Sequence, residues 1–167
     1  MLTTYYRSPI GILEITGSQQ GIASIDFVVD AIENGGTPPA LQDCVLQLDE
    51  YFAGERKEFS LKLDLQGTEF QRKVWRELQR ISFGKTVSYL DVAVVVGTRE
   101  STRAVGRANG QNPIAIVVPC HRVIGSDGSL TGYGGGLWRK RWLLDFESNT
   151  PQPSLFASAL EPNATRG

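Results

Sequence analysis

Hydrophobic and polar positions change rhythm along this chain, and the changes mark out its elements. Residues 3–7, 11–16 and 22–29 are short β-rich runs separated by Ser8-Pro9 and by the glycine-bounded turn 17–21, which predicts a small antiparallel sheet. Residues 34–39 read as a loop from their Gly and Pro content. From Ala40 onward, Leu41, Cys44, Val45, Leu48, Tyr51 and Phe52 recur at steps of three and four and stop at Gly54. That spacing predicts an amphipathic helix with a glycine C-cap, and it puts Cys44 on the apolar stripe as a small buried hydrophobe. Phe59, Leu61, Leu63 and Leu65 then alternate with Glu58, Ser60, Lys62 and Asp64, the period of a half-buried strand.

Beyond Gly67 the period becomes helical. Thr68 is placed to cap a helix whose stripe is Phe70, Val74, Trp75, Leu78 and Ile81. Ser88-Tyr89-Leu90-Asp91 has the spacing of a capping box in its Asp form and opens a helix through Val96 that Gly97 ends. Ser101 is expected to cap a third helix running to about Asn109 and closed by Gly110. Two short helices joined by a tight turn fit a helix-turn-helix and an ordinary helical hairpin alike. The third helix carries small residues, Ala104, Gly106, Ala108 and Gly110, while Arg103 and Arg107 fall four apart on one face. Glycine inside a helix costs roughly 1 kcal/mol relative to alanine, so Gly106 implies close approach of a partner, either a duplex groove or another helix. Helix packing would explain the small residues but not the two arginines.

Charge sharpens the division. The 167 residues carry a formal net charge of −1, yet residues 1–66 hold 4 basic against 10 acidic side chains, and residues 67–147 hold 12 against 7. The basic half is the one to examine for a polyanion. The expected organisation is therefore 1–66 as a small β-rich domain with one helix, 67–149 as a helical domain and 150–167, rich in Pro, Ser and Ala, as a loosely ordered tail. With 41% hydrophobic and 21% charged residues and no apolar run near the roughly 18 that cross a bilayer, neither a disordered chain nor a membrane-spanning one is expected. No signal-peptide pattern stands at the N-terminus, where Tyr5, Tyr6 and Arg7 interrupt any apolar stretch. Two cysteines and one histidine fall short of a four-ligand structural zinc site and of a disulfide framework, which points to a reducing, cytoplasmic setting.

Candidate chemistry lies at Cys120-His121. The run 115–118 reads as a buried strand that Pro119 ends, so a cysteine stands where a strand stops, beside the only histidine in the chain. A thiolate is the reactive form of cysteine, and an imidazole held in one tautomer by a carboxylate can take its proton directly or through water. A buried structural cysteine next to a satisfied histidine fits the same tripeptide.

The stretch Ile116-Val117-Val118-Pro119-Cys120-His121-Arg122-Val123-Ile124 resembles the signature of the O6-alkylguanine-DNA alkyltransferases, or methylated-DNA-protein-cysteine methyltransferases. Arg103-Ala104-Val105-Gly106 and Asn112-Pro113 are similar to the recognition helix and asparagine hinge of that family. Gly132-Tyr133 and Arg139-Lys140 through Trp142-Leu143-Leu144 to Glu147 match its substrate loop and final helix. The likeness is strong over residues 70–147 and weaker before, where Ser8-Pro9-Ile10-Gly11 and residues 21–27 are similar to the first strands.

The resemblance implies an α+β protein that moves an alkyl group from guanine O6, with O4-alkylthymine as a further substrate class, to its own cysteine, once per molecule and without a cofactor. Cys120 would be the acceptor, His121 its base through water, Glu147 the residue orienting His121, and Asn112 the hinge. Tyr89 would protonate the purine at N3, and the amide of Gly134 would donate to O6. Carbonyls at Cys120 and Val123 would read the exocyclic amine, and Tyr133 and Lys140 would complete the substrate site. The base must be turned out of double-stranded DNA, with Arg103 filling its place. Ala104, Gly106, Arg107, Ala108, Asn109 and Gly110 would lie in the minor groove. The chain departs from the family in reading Tyr133-Gly134-Gly135-Gly136, where a serine often follows the tyrosine, which implies a flexible lid. The zinc ligands of some relatives have no counterparts here. Trp138 and Trp142 are expected in helix packing. Two rivals follow from other classes: a lesion-binding relative without transfer, which Cys120 itself opposes, and a cysteine hydrolase, for which no acyl pocket is recognisable.

Overall fold

The computed structural model describes residues 1–32 and 35–150. The tail expected over 150–167, all but Thr150, and Asn34 of the loop expected over 34–39 lie outside those residues. The alternating runs form a meander in which β1 (Leu2–Ser8), β2 (Gly11–Ser18) and β3 (Gly21–Val28) pair antiparallel in sequence order. Two-residue connections close both hairpins, with Ser8 opposite Gly11 and Ser18 opposite Gly21. Gly21 has φ +129°, and a Cβ there would stand 2.6 Å from the Lys62 carbonyl oxygen, so only glycine lets the neighbouring segment approach. Leu13, Ile15 and Ile25 are buried beneath α1 (Pro39–Phe52), whose stripe of Leu41, Cys44, Leu48 and Tyr51 is buried in turn. Gly54 follows α1 in the left-handed conformation, its N–H donating to the Tyr51 carbonyl at 3.0 Å.

The alternation over 58–65 does not produce a strand. Only Leu63 bridges to Ile22, through Ile22 N–H to Lys62 O at 2.9 Å and Asp64 N–H to Ile22 O at 2.7 Å. Nearby, the Ser60 amide is taken by the Gln47 side chain from α1 at 2.9 Å, so the ladder cannot extend.

In the basic half, α2 (Glu69–Leu78) opens on a reciprocal cap, with Gln71 N–H donating to Thr68 Oγ1 and Thr68 N–H donating to Gln71 Oε1. Strand β4 (Val87–Ser88) runs into α3 (Tyr89–Val96), capped by Ser88 and Asp91 as the spacing predicts. Ser101, by contrast, does not cap the next helix. It ends a 3₁₀ turn, Arg99–Ser101, that feeds α4 (Thr102–Gly110), and its hydroxyl accepts from Thr98 N–H instead. Gly110 is the last helical residue of α4 rather than a left-handed cap, and Gln111 follows it. Trp75 of α2 donates its indole N–H to the Ala108 carbonyl at 2.8 Å, which fixes how α4 lies on α2.

Residues 116–118 are buried, as expected, and Ala115 half-buried, but they are a turn and not a strand. Ile114 makes a single parallel bridge to Ile25, and Val118 N–H then bonds back to Ile114 O at 3.0 Å. Ile116 has φ +72°, a conformation that a β-branched residue rarely adopts. Asn112 holds the turn shut by donating Nδ2 to Val118 O at 2.8 Å and accepting from Ile114 N–H at 3.0 Å. A 3₁₀ turn, Cys120–Arg122, comes next, followed by β5 (Val123–Ile124) paired parallel to β4, and α5 (Leu137–Asn149) closes the described chain. Trp142 packs as expected, stacked on Phe146 with ring centroids 5.1 Å apart. Trp138 does not. It is 57% exposed, because it sits in the first turn of α5 on the face away from Lys140 and Leu143. Among the described residues no helix is long and apolar enough to cross a membrane.

Candidate active site

Cys120, His121 and Arg122 are all buried, an uncommon placement for a histidine next to an arginine. The last turn of α5 explains it by delivering Glu147, 1% exposed, into their midst. His121 Nε2 lies 2.8 Å from Glu147 Oε2. Arg122 donates Nε to Oε1 and Nη2 to Oε2, each at 2.8 Å, and Nη1 to the Ile81 carbonyl at 2.6 Å. Tyr51 of α1 donates its hydroxyl to Oε2 at 2.7 Å. Burial opposes the charge on Glu147, but the neighbouring His121 and Arg122 hold its carboxyl well below the usual carboxylate range.

An ionised carboxylate only accepts, so His121 carries its proton on Nε2 and leaves Nδ1 as a lone pair. That Nδ1 is buried and has no partner among the described residues. Burial also pushes the His121 pKa down, against the pull of Glu147, which keeps the ring neutral. The Cys120 thiol is pushed up by burial, while an Asn112 hydrogen bond and the Lys140 charge act the other way. At rest this is a protonated thiol beside a neutral base that does not yet touch it.

Cys120 faces a cavity of about 160 Å³, lined also by Phe27, Asn109, Asn112, Tyr133 and Gly134. It adjoins an open groove of about 370 Å³ between α4 and the loop 131–136, bounded by Tyr89, Gly106, Gly110 and Thr131. A larger groove of about 760 Å³ lies along residues 50–60 and contains neither Cys120 nor His121. Tyr89 donates to Thr131 O at 3.1 Å and accepts from Thr131 Oγ1 at 3.1 Å and from Lys140 Nζ at 3.4 Å. Lys140, fully buried, also reaches Thr131 O at 3.0 Å, so Tyr89, Lys140 and the loop form one polar knot above the cavity. The Tyr133 hydroxyl is buried without a partner among the described residues, and burial raises its pKa, with the nearby Cys120 adding to the effect. Val123 is fully buried and lines neither the cavity nor the groove.

The loop is less free than three glycines suggest. A Cβ on Gly135 would fall 2.7 Å from the Phe27 ring. Its carbonyl accepts from Arg139 Nη1 at 2.9 Å, and the Gly136 amide donates to Tyr133 O at 2.8 Å. Arg139 also donates Nε to Ile10 O at 2.6 Å and lies 4.4 Å from the Phe27 ring centroid, clamping the loop to the β1–β2 hairpin. Of the three consecutive glycines Gly134 alone is open, with no described atom within 4 Å of a Cβ.

On α4 the expected groove-facing set divides in two. Arg103, Arg107 and Gly110 are exposed and Ala104 and Gly106 half-buried, whereas Ala108 and Asn109 are buried, Asn109 on the wall shared by the cavity and the groove. Asn109 turns inward and donates Nδ2 to the Cys120 carbonyl at 3.3 Å, its Oδ1 beside the cavity without a partner among the described residues. A Cβ on Gly106 would meet nothing nearer than Tyr89 at 3.8 Å, and one on Gly110 nothing at all. Packing among the described residues therefore does not demand these glycines. Two functional side chains escaped the reading of the sequence, Tyr51 and Arg122. The signal was a phenol on an otherwise apolar helix stripe and a guanidinium in a buried run, each of which needs a partner.

Residues 69–149 match the family described as 6-O-methylguanine DNA methyltransferase, DNA binding domain, and residues 1–65 match its ribonuclease-like domain. A methylated-DNA–protein-cysteine methyltransferase of Mycolicibacterium paratuberculosis is 51% identical over 153 residues, covering 89% of this chain and 93% of the relative. The crystal structure of the Mycobacterium tuberculosis O6-methylguanine methyltransferase superposes with a TM-score of 0.84 at 44% identity, covering 94% of this chain and 98% of that one. A Mycobacterium tuberculosis OGT solved in complex with DNA superposes at 0.81 with 46% identity, covering 89% and 93%. With both halves matched and relatives this similar over nearly their whole length, the chain belongs to the 6-O-methylguanine DNA methyltransferase family.

Proposed function

We propose that this protein repairs DNA by moving the alkyl group of an O6-alkylguanine onto Cys120 Sγ, once per molecule. The observation that carries the reading is the unpartnered Nδ1 of His121, whose other nitrogen is held by Glu147, next to a thiol at a cavity wall. A water between Sγ and Nδ1 takes the thiol proton to His121. Sγ then attacks the alkyl carbon, the carbon–O6 bond breaks, and its electron pair moves into the purine. Tyr89, next to Lys140, gives a proton to N3, and the open amide of Gly134 donates to O6. The carbonyls of Cys120 and Val123 accept from the exocyclic amine, with Asn109 steadying the first of them. Tyr133 closes the cavity and Asn112 holds the turn beneath the thiol. No cofactor enters this chemistry, because the thiol is both nucleophile and final acceptor.

Residues 67–149 do this work, and residues 1–66 support it through Tyr51 and the Arg139 clamp. The exposed side of α4 enters the minor groove of double-stranded DNA, where Gly106 and Gly110 let the backbone approach and Arg103 takes the place of the extruded base. The protein acts as a monomer in a reducing, cytoplasmic setting, consistent with two free cysteines.

The test is the intact mass of the protein after mixing with a duplex bearing one O6-methylguanine. One methylene equivalent should appear per molecule and be absent in Cys120→Ser. Tight binding to the lesion without a mass gain would make the protein a sensor instead, and turnover on an ester would make it a hydrolase.

A further inference from the structure

Glu147 Oε2 accepts from three donors at once: Tyr51 Oη at 2.7 Å, His121 Nε2 at 2.8 Å and Arg122 Nη2 at 2.8 Å. A carboxylate oxygen offers two lone pairs, so three donors on one oxygen compete, and each weakens the others. Oε1 has less to do, taking Arg122 Nε at 2.8 Å and the Gly84 amide at 3.4 Å. The competitor that comes from outside the basic half is Tyr51, 96 residues away in sequence and on α1. Its ring is gripped by Phe52, Phe59, Phe83 and Phe146, with centroids 5.0, 5.5, 6.0 and 5.5 Å away, so the hydroxyl has nowhere else to turn.

We infer that Tyr51 is a positioning residue of the transfer reaction, its hydroxyl sharing Oε2 with His121 and so limiting how strongly Glu147 draws on the imidazole. The inference rests on the proposal that His121 takes the Cys120 proton. A phenol that stays protonated serves this end, and burial followed by the Glu147 charge holds the Tyr51 pKa well above 10.0. The charged groups that act on His121 are Glu147 and Lys140 from α5 and Arg122 from its own turn, while Tyr51 from α1 meets it through Glu147, and Cys120, its neighbour in the chain, lies beside Tyr133 of the loop. Within that set Tyr51 is a neutral donor aimed at the same oxygen as the imidazole, so removing its hydroxyl leaves every formal charge in place. Glu147 then accepts more strongly from Nε2–H, and Nδ1 becomes a stronger base.

The test is Tyr51→Phe, which keeps the ring in its aromatic cage. His121 is the only histidine in the chain, so its ring nitrogens titrate in an NMR spectrum without assignment ambiguity. The titration midpoint, and with it the acid limb of the rate of reaction with free O6-benzylguanine, should move up by about half to one pH unit. An unmoved midpoint overturns the inference, even if the rate falls uniformly, since that pattern marks a packing role alone. Should Tyr51→Phe not fold, 3-fluorotyrosine placed at position 51 is a stronger donor of nearly the same shape and should move the midpoint down, with no movement again decisive against the idea. A wild-type protein that gains no mass from a duplex bearing O6-methylguanine would instead sink the underlying reading of Cys120, which separates the two failures.

Discussion

Arg122 holds Glu147 with both arms of its guanidinium, Nε on one carboxylate oxygen and Nη2 on the other at 2.8 Å each. The pair lies out of water, with side chains 6% and 1% exposed. A fork of this kind fixes the plane of the carboxylate as well as its place, which a lysine could not do. The carboxylate in turn fixes the ring of His121 and hence the direction of Nδ1.

Arg122→Met should therefore be among the most damaging substitutions outside the thiol itself. It leaves a buried carboxylate without its only permanent cation, and losing one partner of such a pair costs roughly 3–5 kcal/mol. Urea unfolding should show a loss of that size with an unchanged slope. In the double variant Arg122→Met/Glu147→Gln the loss should be well below the sum of the two single ones. Additive losses would mean that the two side chains stabilise the fold independently.

Stability should be greatest on a plateau near neutral pH and fall on both sides. On the acid side, burial sets the His121 pKa below the ordinary 6.5, and Glu147 lies below the ordinary 4.5. The unfolded chain thus binds protons that the folded one refuses, so stability declines as pH drops below about 6.5 and more steeply below about 4.5. On the alkaline side the folded thiols keep protons that the unfolded chain gives up. Burial, with Asp43 adding to it, pushes Cys44 from 9.0 to about 12, and burial raises Cys120 as well. Stability is complete below pH 9.0 on this account and is lost as pH rises toward 12. Melting temperatures across the range check the shape, and Cys44→Ala should blunt the alkaline fall. A melting temperature that keeps rising above pH 9 would contradict the buried, protonated thiols.

What the chain revealed in advance, and what it did not, follows the range of the interactions. The caps at Thr68 and Ser88 were legible because donor and acceptor stand three residues apart. The meander was legible because its alternation and turns are local. Cys120 and His121 stood out as neighbours, but Glu147 joined them only through the family resemblance, and Tyr51 and Arg122 not at all, because their common partner lies 96 and 25 residues away. The misread strands at 58–65 and 115–118 failed for one reason. Side chains, Gln47 and Asn112, took up backbone groups that a ladder would have used. Periodicity reports burial, and burial was right in both places. It does not report which partner a buried amide finds.

The loop glycines should respond in opposite senses. Gly134→Ser meets open space and should fold as well as wild type, adding a hydroxyl at the mouth of the cavity. Gly135→Ala would drive its methyl to within 2.7 Å of the Phe27 ring, displacing either Phe27 or the loop that Arg139 holds. An overpacked site of this kind costs about 1–3 kcal/mol. The two melting curves, with the rates toward O6-methyl and O6-benzyl substrates, decide whether the loop is a clamp. Equal tolerance at both positions would restore the flexible lid that three consecutive glycines suggest.

Arg103 and Arg107 both face solvent from α4, yet they should fail differently. If Arg107 touches phosphate, Arg107→Ala should weaken binding to any duplex and lower the slope of log affinity against log salt by about one. Arg103 is assigned to the space left by the extruded nucleotide, so its loss should show in the reaction more than in binding. Turning a base out costs a few kcal/mol, and a side chain that fills the gap recovers part of it only while the base is out. Free O6-benzylguanine needs no extrusion. Arg103→Ala should therefore slow transfer from a lesion in duplex DNA by a factor of ten or more, on the order of 1.4 kcal/mol, while leaving the reaction with the free base nearly unchanged. Rapid-quench rates on the two substrates make the comparison. Equal slowing on both would place Arg103 in support of the cavity rather than in the groove, and loss of duplex binding with an unchanged single-turnover rate would make it a second phosphate contact.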